Sequence, residues 1–123
     1  MDQIVKLCYL LVLMLTACSP VDENLLIGKW TGIAVTEEGT PINVNPSEIK
    51  MTFGEKGYAY FSTLNYREAG SYYIHSKYLF TTDTLNQAST EKAVEIVKLT
   101  PDSLVLKMEE AGKERFLMME KTE

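Results

Sequence analysis

The sequence predicts an all-β fold, an eight-stranded antiparallel up-and-down barrel. Apolar and polar residues alternate with a period of two in eight separate segments, which is typical of half-buried strands. The segments follow at near-regular spacing and are joined by short turns, as in a meander of hairpins. A meander of this length has two unpaired edges, and closure into a barrel removes both. A two-layer sandwich or a barrel left partly open is the alternative.

Composition limits the chain to one ordinary globular domain. The sequence has 123 residues, of which 46% are hydrophobic and 24% charged. Lys and Arg number 12 against 17 Asp and Glu, so the formal net charge is −5. A nucleic-acid-binding domain usually carries a basic face, and this balance argues against nucleic acid as a partner.

The first 17 residues predict a signal peptide that is removed from the mature protein. Residues 7–15 form an apolar run of nine residues after a short polar start. A spanning helix needs roughly 20 apolar residues, whereas a run of this length is typical of a signal-peptide core. Cys8 lies inside the run and would be removed with it.

The end of that run resembles the lipobox of bacterial lipoproteins. The residues are Leu15-Thr16-Ala17-Cys18, with small side chains before the cysteine. The resemblance implies cleavage before Cys18 and lipidation of its thiol; an ordinary secretory signal followed by an unrelated cysteine is the alternative. Residues 18–24 then form the lipidated start and a polar tether, and residues 25–123 the barrel domain. Because Ser19 rather than Asp follows the cysteine, we expect an outer-membrane location in the cell envelope, with the leaflet left open.

The elements can be predicted in order along the mature chain. Asp22 can cap one helical turn over residues 22–26. The glycines of residues 54–57 and the proline of residues 100–103 predict tight turns. The eight predicted strands are residues 29–36, 48–53, 58–64, 70–75, 77–82, 92–99, 104–108 and 113–121.

The start of the first predicted strand resembles the lipocalin signature. Gly28-Lys29-Trp30 matches its Gly-x-Trp pattern, and the mature chain is similar to the small lipocalin-like lipoproteins of Gram-negative envelopes. The resemblance implies that Trp30 packs across the closed end of the barrel beneath an arginine of the last strand, here Arg115. Full lipocalins are longer and add a C-terminal helix, for which this sequence has no counterpart, so the fold is expected to transfer more securely than ligand binding.

The barrel interior is predicted to be either filled or to hold a small pocket. Strands of about seven residues, tilted by about 40°, would give a barrel only about 18 Å tall. An eight-stranded interior of that height is either filled by side chains or accepts one small hydrophobic or amphipathic ligand. The residues predicted to line a pocket are Tyr58, Tyr60, Tyr72, Phe80 and Met118.

No catalytic or metal-binding pattern stands out, and no cofactor is implied. His75 lies beside Ser76 at a predicted hairpin end, but neighbouring strand residues point to opposite faces. We therefore predict a protein that is not an enzyme. Two functions stay open: a lipid-anchored module that binds a small molecule, or a solid barrel that contacts another envelope protein. Residues 37–46 and 83–90 are the predicted contact loops.

Overall fold

The structure is a computed structural model that describes residues 21–86 and 90–122. The predicted signal peptide and Cys18 therefore lie outside the described residues. The elements are α1 (Glu23–Leu26), β1 (Gly28–Glu37), β2 (Thr40–Pro41), a 3-10 turn (Pro46–Glu48), β3 (Lys50–Phe53), β4 (Tyr58–Ser62), β5 (Arg67–His75), β6 (Tyr78–Asp83), β7 (Glu91–Leu99), β8 (Ser103–Glu110) and β9 (Lys113–Lys121).

The sheet closes through its first long strand. All pairings are antiparallel, and β3 to β9 follow one another in chain order. β1 pairs with β3 from Gly28 to Thr31 and with β9 from Trp30 to Glu37. The predicted eight-stranded up-and-down barrel is thus confirmed, and the sandwich alternative is excluded. β2 is a two-residue addition that pairs only with the end of β1.

The predicted elements agree closely with those observed. The single helical turn forms as α1, and Asp22 caps it by accepting a hydrogen bond from the Asn24 backbone N–H at 3.0 Å. The largest differences are at two strand starts. The 3-10 turn occupies the start of the predicted second strand, and β5 begins at Arg67 rather than at Gly70. In the described residues, no helix has the length and apolar character needed to cross a membrane.

The two ends of the barrel have different roles. We call the end that carries α1 and the β3–β4, β5–β6 and β7–β8 turns the base, and the opposite end the mouth. Two mouth hairpins have two-residue turns, Glu38-Gly39 and Ala111-Gly112, in which both residues have positive φ. That geometry matches the twist of the flanking strands.

One glycine is required by close packing of neighbouring strands. A Cβ at Gly70, in β5, would lie 1.8 Å from the Thr82 carbonyl oxygen of β6. Because backbone cannot yield by that much, any side chain at this position would disturb the β5–β6 pairing.

The hydrophobic core is concentrated at the base and in the middle of the barrel. Trp30 pairs with Lys121, and Phe53 with Ala59, so both buried rings project inward near the base. The buried apolar residues are Leu26, Trp30, Val35, Phe53, Leu79, Ile96, Leu104, Leu106, Leu117 and Met119.

Candidate functional site

Trp30 closes the base of the barrel. Its side chain is 1% exposed, and its indole N–H donates a hydrogen bond to the Leu26 carbonyl oxygen at 2.8 Å. The Lys121 ammonium lies 5.1 Å from the ring centroid, within cation–π range, and donates to the Leu25 carbonyl oxygen at 2.9 Å. The ring is therefore fixed by α1 on one side and by the end of β9 on the other.

The predicted pairing of Trp30 with Arg115 is wrong in this structure. Arg115 pairs with Glu37 at the mouth, whereas Trp30 pairs with Lys121 at the base. Six residues along a strand span roughly 20 Å, so the guanidinium cannot reach the indole. Both cations lie on the inner face of β9, and the antiparallel register places Lys121, and not Arg115, beside the indole ring.

A cavity of about 770 Å³ lies between the packed base and the mouth. This volume falls within the range of about 300–1,000 Å³ that is usual for small-molecule sites. Its walls are largely apolar and include Val35, Ile49, Met51, Ala59, Phe61, Leu79, Val94, Leu106, Met108 and Leu117. The cavity can accept an apolar body or chain.

Charged side chains border the cavity near the mouth, and the cations among them are paired. Arg115 contacts Glu37 at 2.6 Å and Glu110 at 2.5 Å. The hydrogen bond from Arg115 is the main reason that the pKa of Glu37 lies below its usual value. On the opposite wall the Lys92 ammonium contacts the Glu68 carboxylate. That hydrogen bond raises the pKa of Lys92, so Lys92 stays charged.

Asp83 is a buried carboxylate on the same wall as Glu68. Its side chain is 6% exposed, and Oδ2 accepts a hydrogen bond from the Asn86 side chain at 2.7 Å. Oδ1 accepts from the backbone N–H groups of Leu85 at 3.0 Å and Ala69 at 3.3 Å. Burial by itself would raise the pKa of Asp83, but these hydrogen bonds outweigh it and leave the pKa below its usual value. Asp83 is therefore ionised at neutral pH.

Only one of the five residues predicted to line a pocket borders the cavity. Residues directly opposite one another in neighbouring strands share a face, and Ala59 lies opposite the buried Phe53. The side chains of Tyr58 and Tyr60 therefore lie on the outer face. Tyr60 still borders the cavity through its place in β4, whereas Tyr58 does not border it and is 51% exposed.

The other three predicted residues also lie away from the cavity. Tyr72 projects inward but packs edge-on against Phe53 in the base, with ring centroids 5.1 Å apart, and its hydroxyl donates to the Gly54 carbonyl oxygen. Burial raises the pKa of its hydroxyl. Phe80 stacks on Tyr73 on the outer face, and Met118 alternates with two buried neighbours and so faces outward. Both faces of β9 carry large apolar residues, so the sequence alone does not show which alternate residues face inward.

The sequence analysis did not place Glu68, Asp83 and Lys92 on the cavity wall, and it placed Arg115 at the opposite, closed end of the barrel. Lys92 shares the inner face of β7 with Val94 and Ile96, and Arg115 that of β9 with Leu117. In both strands the charged residue stands two positions before a buried or partly buried apolar residue. Residues two apart in a strand share a face, so this spacing indicates that the charged side chain also faces inward. The predicted contact loops, residues 37–46 and 83–90, both lie at the mouth, although residues 87–89 are outside the described part.

No catalytic constellation assembles around the cavity in the described residues. His75 is exposed at the base end of β5, far from the charged wall at the mouth. Within residues 21–86 and 90–122, no three His, Cys, Asp or Glu side chains come together to hold a metal ion. The geometry is suited to holding a molecule by burial and charge.

A closed antiparallel barrel with a plugged base and an open apolar cavity defines a lipocalin-type barrel. Residues 26–106, about two thirds of the chain, match the family model of the lipocalin-like domain. The chain belongs to the lipocalin-like domain family, which confirms the resemblance that the Gly-x-Trp pattern carried.

Two solved structures share the fold. A lipocalin-like protein from Bacteroides uniformis is 17% identical, with a TM-score of 0.60, and the match covers 79% of this chain and 98% of that one. An uncharacterized protein from Bacteroides eggerthii gives the same identity and TM-score, covering 78% and 98%. No curated protein sequence matches this one.

Proposed function

We propose that this protein is a lipid-anchored, non-catalytic lipoprotein of the cell envelope whose barrel holds a small hydrophobic or amphipathic molecule. The cavity of about 770 Å³ carries the proposal, because its walls are largely apolar and its mouth is charged. Burial of an apolar ligand surface contributes roughly 25 cal/mol per Å², and polar groups at the entrance orient the ligand.

Binding in the cavity is tested with Nile red, an uncharged dye that fluoresces in apolar surroundings. Thr81 borders the cavity on the inner face of β6, and Thr81→Phe places a ring in it. Val97→Phe is the matched control, since Val97 is 48% exposed on the surface. We expect the dye to bind the wild type and Val97→Phe equally and Thr81→Phe at least about tenfold more weakly. Equal binding to all three proteins would contradict the proposal.

The lipid anchor is tested through the two cysteines. Cys18 is the predicted lipidation site, and Cys8 lies in the segment predicted to be removed. One acyl chain gives only marginal membrane binding, whereas two or more hold a protein firmly. We expect Cys18→Ala to move the protein out of the membrane fraction and to abolish acylation by mass spectrometry, and Cys8→Ala to change neither. An outer-membrane location predicts co-fractionation with outer-membrane markers, and retention of Cys18→Ala in the membrane would contradict the anchor.

A second candidate function is contact with another envelope protein. One patch on the outer surface of β4, β5 and β6, the outer aromatic patch, favours it. Tyr58, Tyr73 and Tyr78 are 51%, 50% and 39% exposed, and Phe80 stacks on Tyr73 with ring centroids 4.9 Å apart. Exposed aromatic clusters of this kind mark interaction surfaces. A photo-crosslinker at Tyr73 should capture a discrete partner in cells when one at Val97 does not, and identical patterns would argue against this candidate.

A further inference from the structure

The two charged walls of the cavity differ in their charge balance. On one wall Arg115 and Lys113 face Glu37 and Glu110, and the four charges cancel. On the other wall there are two carboxylates, Glu68 and Asp83, and the Lys92 ammonium contacts Glu68. Asp83 is held by neutral donors, so one negative charge on this wall has no cation in contact with it among the described residues.

The same wall also carries aromatic side chains. Tyr66 borders the cavity, and its hydroxyl donates to the Glu68 carboxylate at 2.5 Å. Phe61 lies beside it, with ring centroids 6.4 Å apart. Aromatic faces attract cations, most strongly where water is partly excluded. The negative charge and the aromatic rings of this wall therefore both favour a cationic ligand group.

We propose that the cavity selects amphiphiles that carry a cationic head, such as a protonated long-chain amine, over carboxylates of the same chain length. The alkyl chain enters the apolar interior, and the head lies at the wall formed by Phe61, Tyr66, Glu68, Asp83 and Lys92. A carboxylate head would find no uncommitted cation there, because Lys92 and Arg115 are both engaged by carboxylates. This proposal rests on the proposed binding function and names the ligand class.

The test is displacement of Nile red at pH 7 by three ligands with the same chain: dodecylamine, dodecanol and dodecanoate, the two ionic ligands below their micelle concentrations and dodecanol below its solubility limit. At about 10 mM salt we expect dodecylamine to bind about tenfold more tightly than dodecanoate, with dodecanol between them. The ratio should shrink at 1 M salt, because the screening length falls from about 30 Å to about 3 Å.

Charge-neutralising variants locate the effect. We expect Asp83→Asn and Glu68→Gln each to lower the ratio of amine to carboxylate affinity severalfold. Glu120→Gln changes the net charge by the same amount on an exposed residue near the base, and it should leave the ratio unchanged. Two site variants are used because Asp83→Asn also removes the hydrogen bond that Oδ2 accepts from Asn86, whereas in Glu68→Gln the remaining oxygen can still accept from Tyr66 and Lys92.

The outcomes separate this inference from the binding function itself. If dodecanol displaces the dye and dodecanoate binds as tightly as dodecylamine, the charge selection is wrong and the binding function stands. An equal effect of Glu120→Gln would also overturn the inference, because the preference would then come from net charge. If none of the three ligands displaces the dye, the charge selection fails, whereas the binding function is decided separately by the dye titration of the wild type, Val97→Phe and Thr81→Phe.

Discussion

Replacing Trp30 by alanine should be among the most destabilising single changes in the barrel. A buried Trp removes about 150–250 Å² from water, worth about 4–6 kcal/mol at 25 cal/mol per Å². The hydrogen bond from the indole to the Leu26 carbonyl oxygen adds about 0.5–1.5 kcal/mol, and relaxation of the cavity recovers part of the loss. Measured Trp→Ala changes in cores cost about 3–5 kcal/mol, which we expect here.

Urea unfolding followed by far-UV circular dichroism measures this loss. Fluorescence cannot be compared between the variants, because Trp30 is the sole tryptophan. With a slope of about 1.5 kcal/mol per M, the midpoint should fall by about 2–3 M. Trp30→Phe keeps most of the ring but leaves the Leu26 carbonyl without its donor, so a loss of about 1–3 kcal/mol is expected.

A surface residue supplies the control for the tryptophan series. Leu64 is 73% exposed, and Leu64→Ala should change the free energy of unfolding by less than about 0.5 kcal/mol. A midpoint for Trp30→Ala equal to that of Leu64→Ala would refute the assignment of Trp30 as the plug of the barrel base.

Further predictions concern the ionic contacts at the two ends of the barrel. A double-mutant cycle should give about 0.5–2 kcal/mol of coupling between Trp30 and Lys121, and none between Trp30 and Arg115; the reverse result would overturn the observed register. Because the folded-state pKa of Asp83 is depressed, its contribution to stability is present above about pH 4 and is lost as pH falls through the folded value. Asp83→Asn should therefore lower the melting temperature at pH 7, and this loss should shrink progressively as the pH is lowered below about 4; a loss that does not change with pH would contradict this. Glu37 follows the same sign through its bond to Arg115, so the melting temperature of Glu37→Gln should depend less on acid pH than that of the wild type.

The sequence predicts strands well here because each strand has a clear period and clear turns. β9 was predicted over residues 113–121 and is observed over Lys113–Lys121. When both faces of a strand are apolar, the period of two alone does not show which set of alternate residues faces inward. In β9 the inner apolar residues are Leu117 and Met119, whereas Met118, which was predicted to line a pocket, lies outside. Only the register of a closed barrel settles this choice.

The cavity residues were harder to predict for the same reason. The aromatic residues of β4 and β6 suggested an inner lining, yet Tyr58 and Phe80 cover the outer face. The cavity is instead bordered by smaller or charged inner residues such as Ala59, Thr81 and Lys92. A large apolar side chain in the sequence suggests burial, but its size does not show that it lines a cavity. A cavity forms where the inner side chains are small or extend toward water at the mouth.

The longest strands give this short lipocalin-like chain room for both a plugged base and a cavity. The predicted strands of about seven residues gave a barrel about 18 Å tall; in the structure β5, β7 and β9 have nine residues each, whereas β3, β4 and β6 have four to six. Nine residues span about 30 Å, and a tilt of about 40° gives a height of about 23 Å. Along the long strands there is room for Trp30 and Phe53 to fill the base while the cavity occupies the part nearer the mouth. If stability resides in that plug, a ring placed at Thr81 should block ligand entry without lowering the melting temperature, and a large fall in the melting temperature of Thr81→Phe would show that base and cavity are not independent.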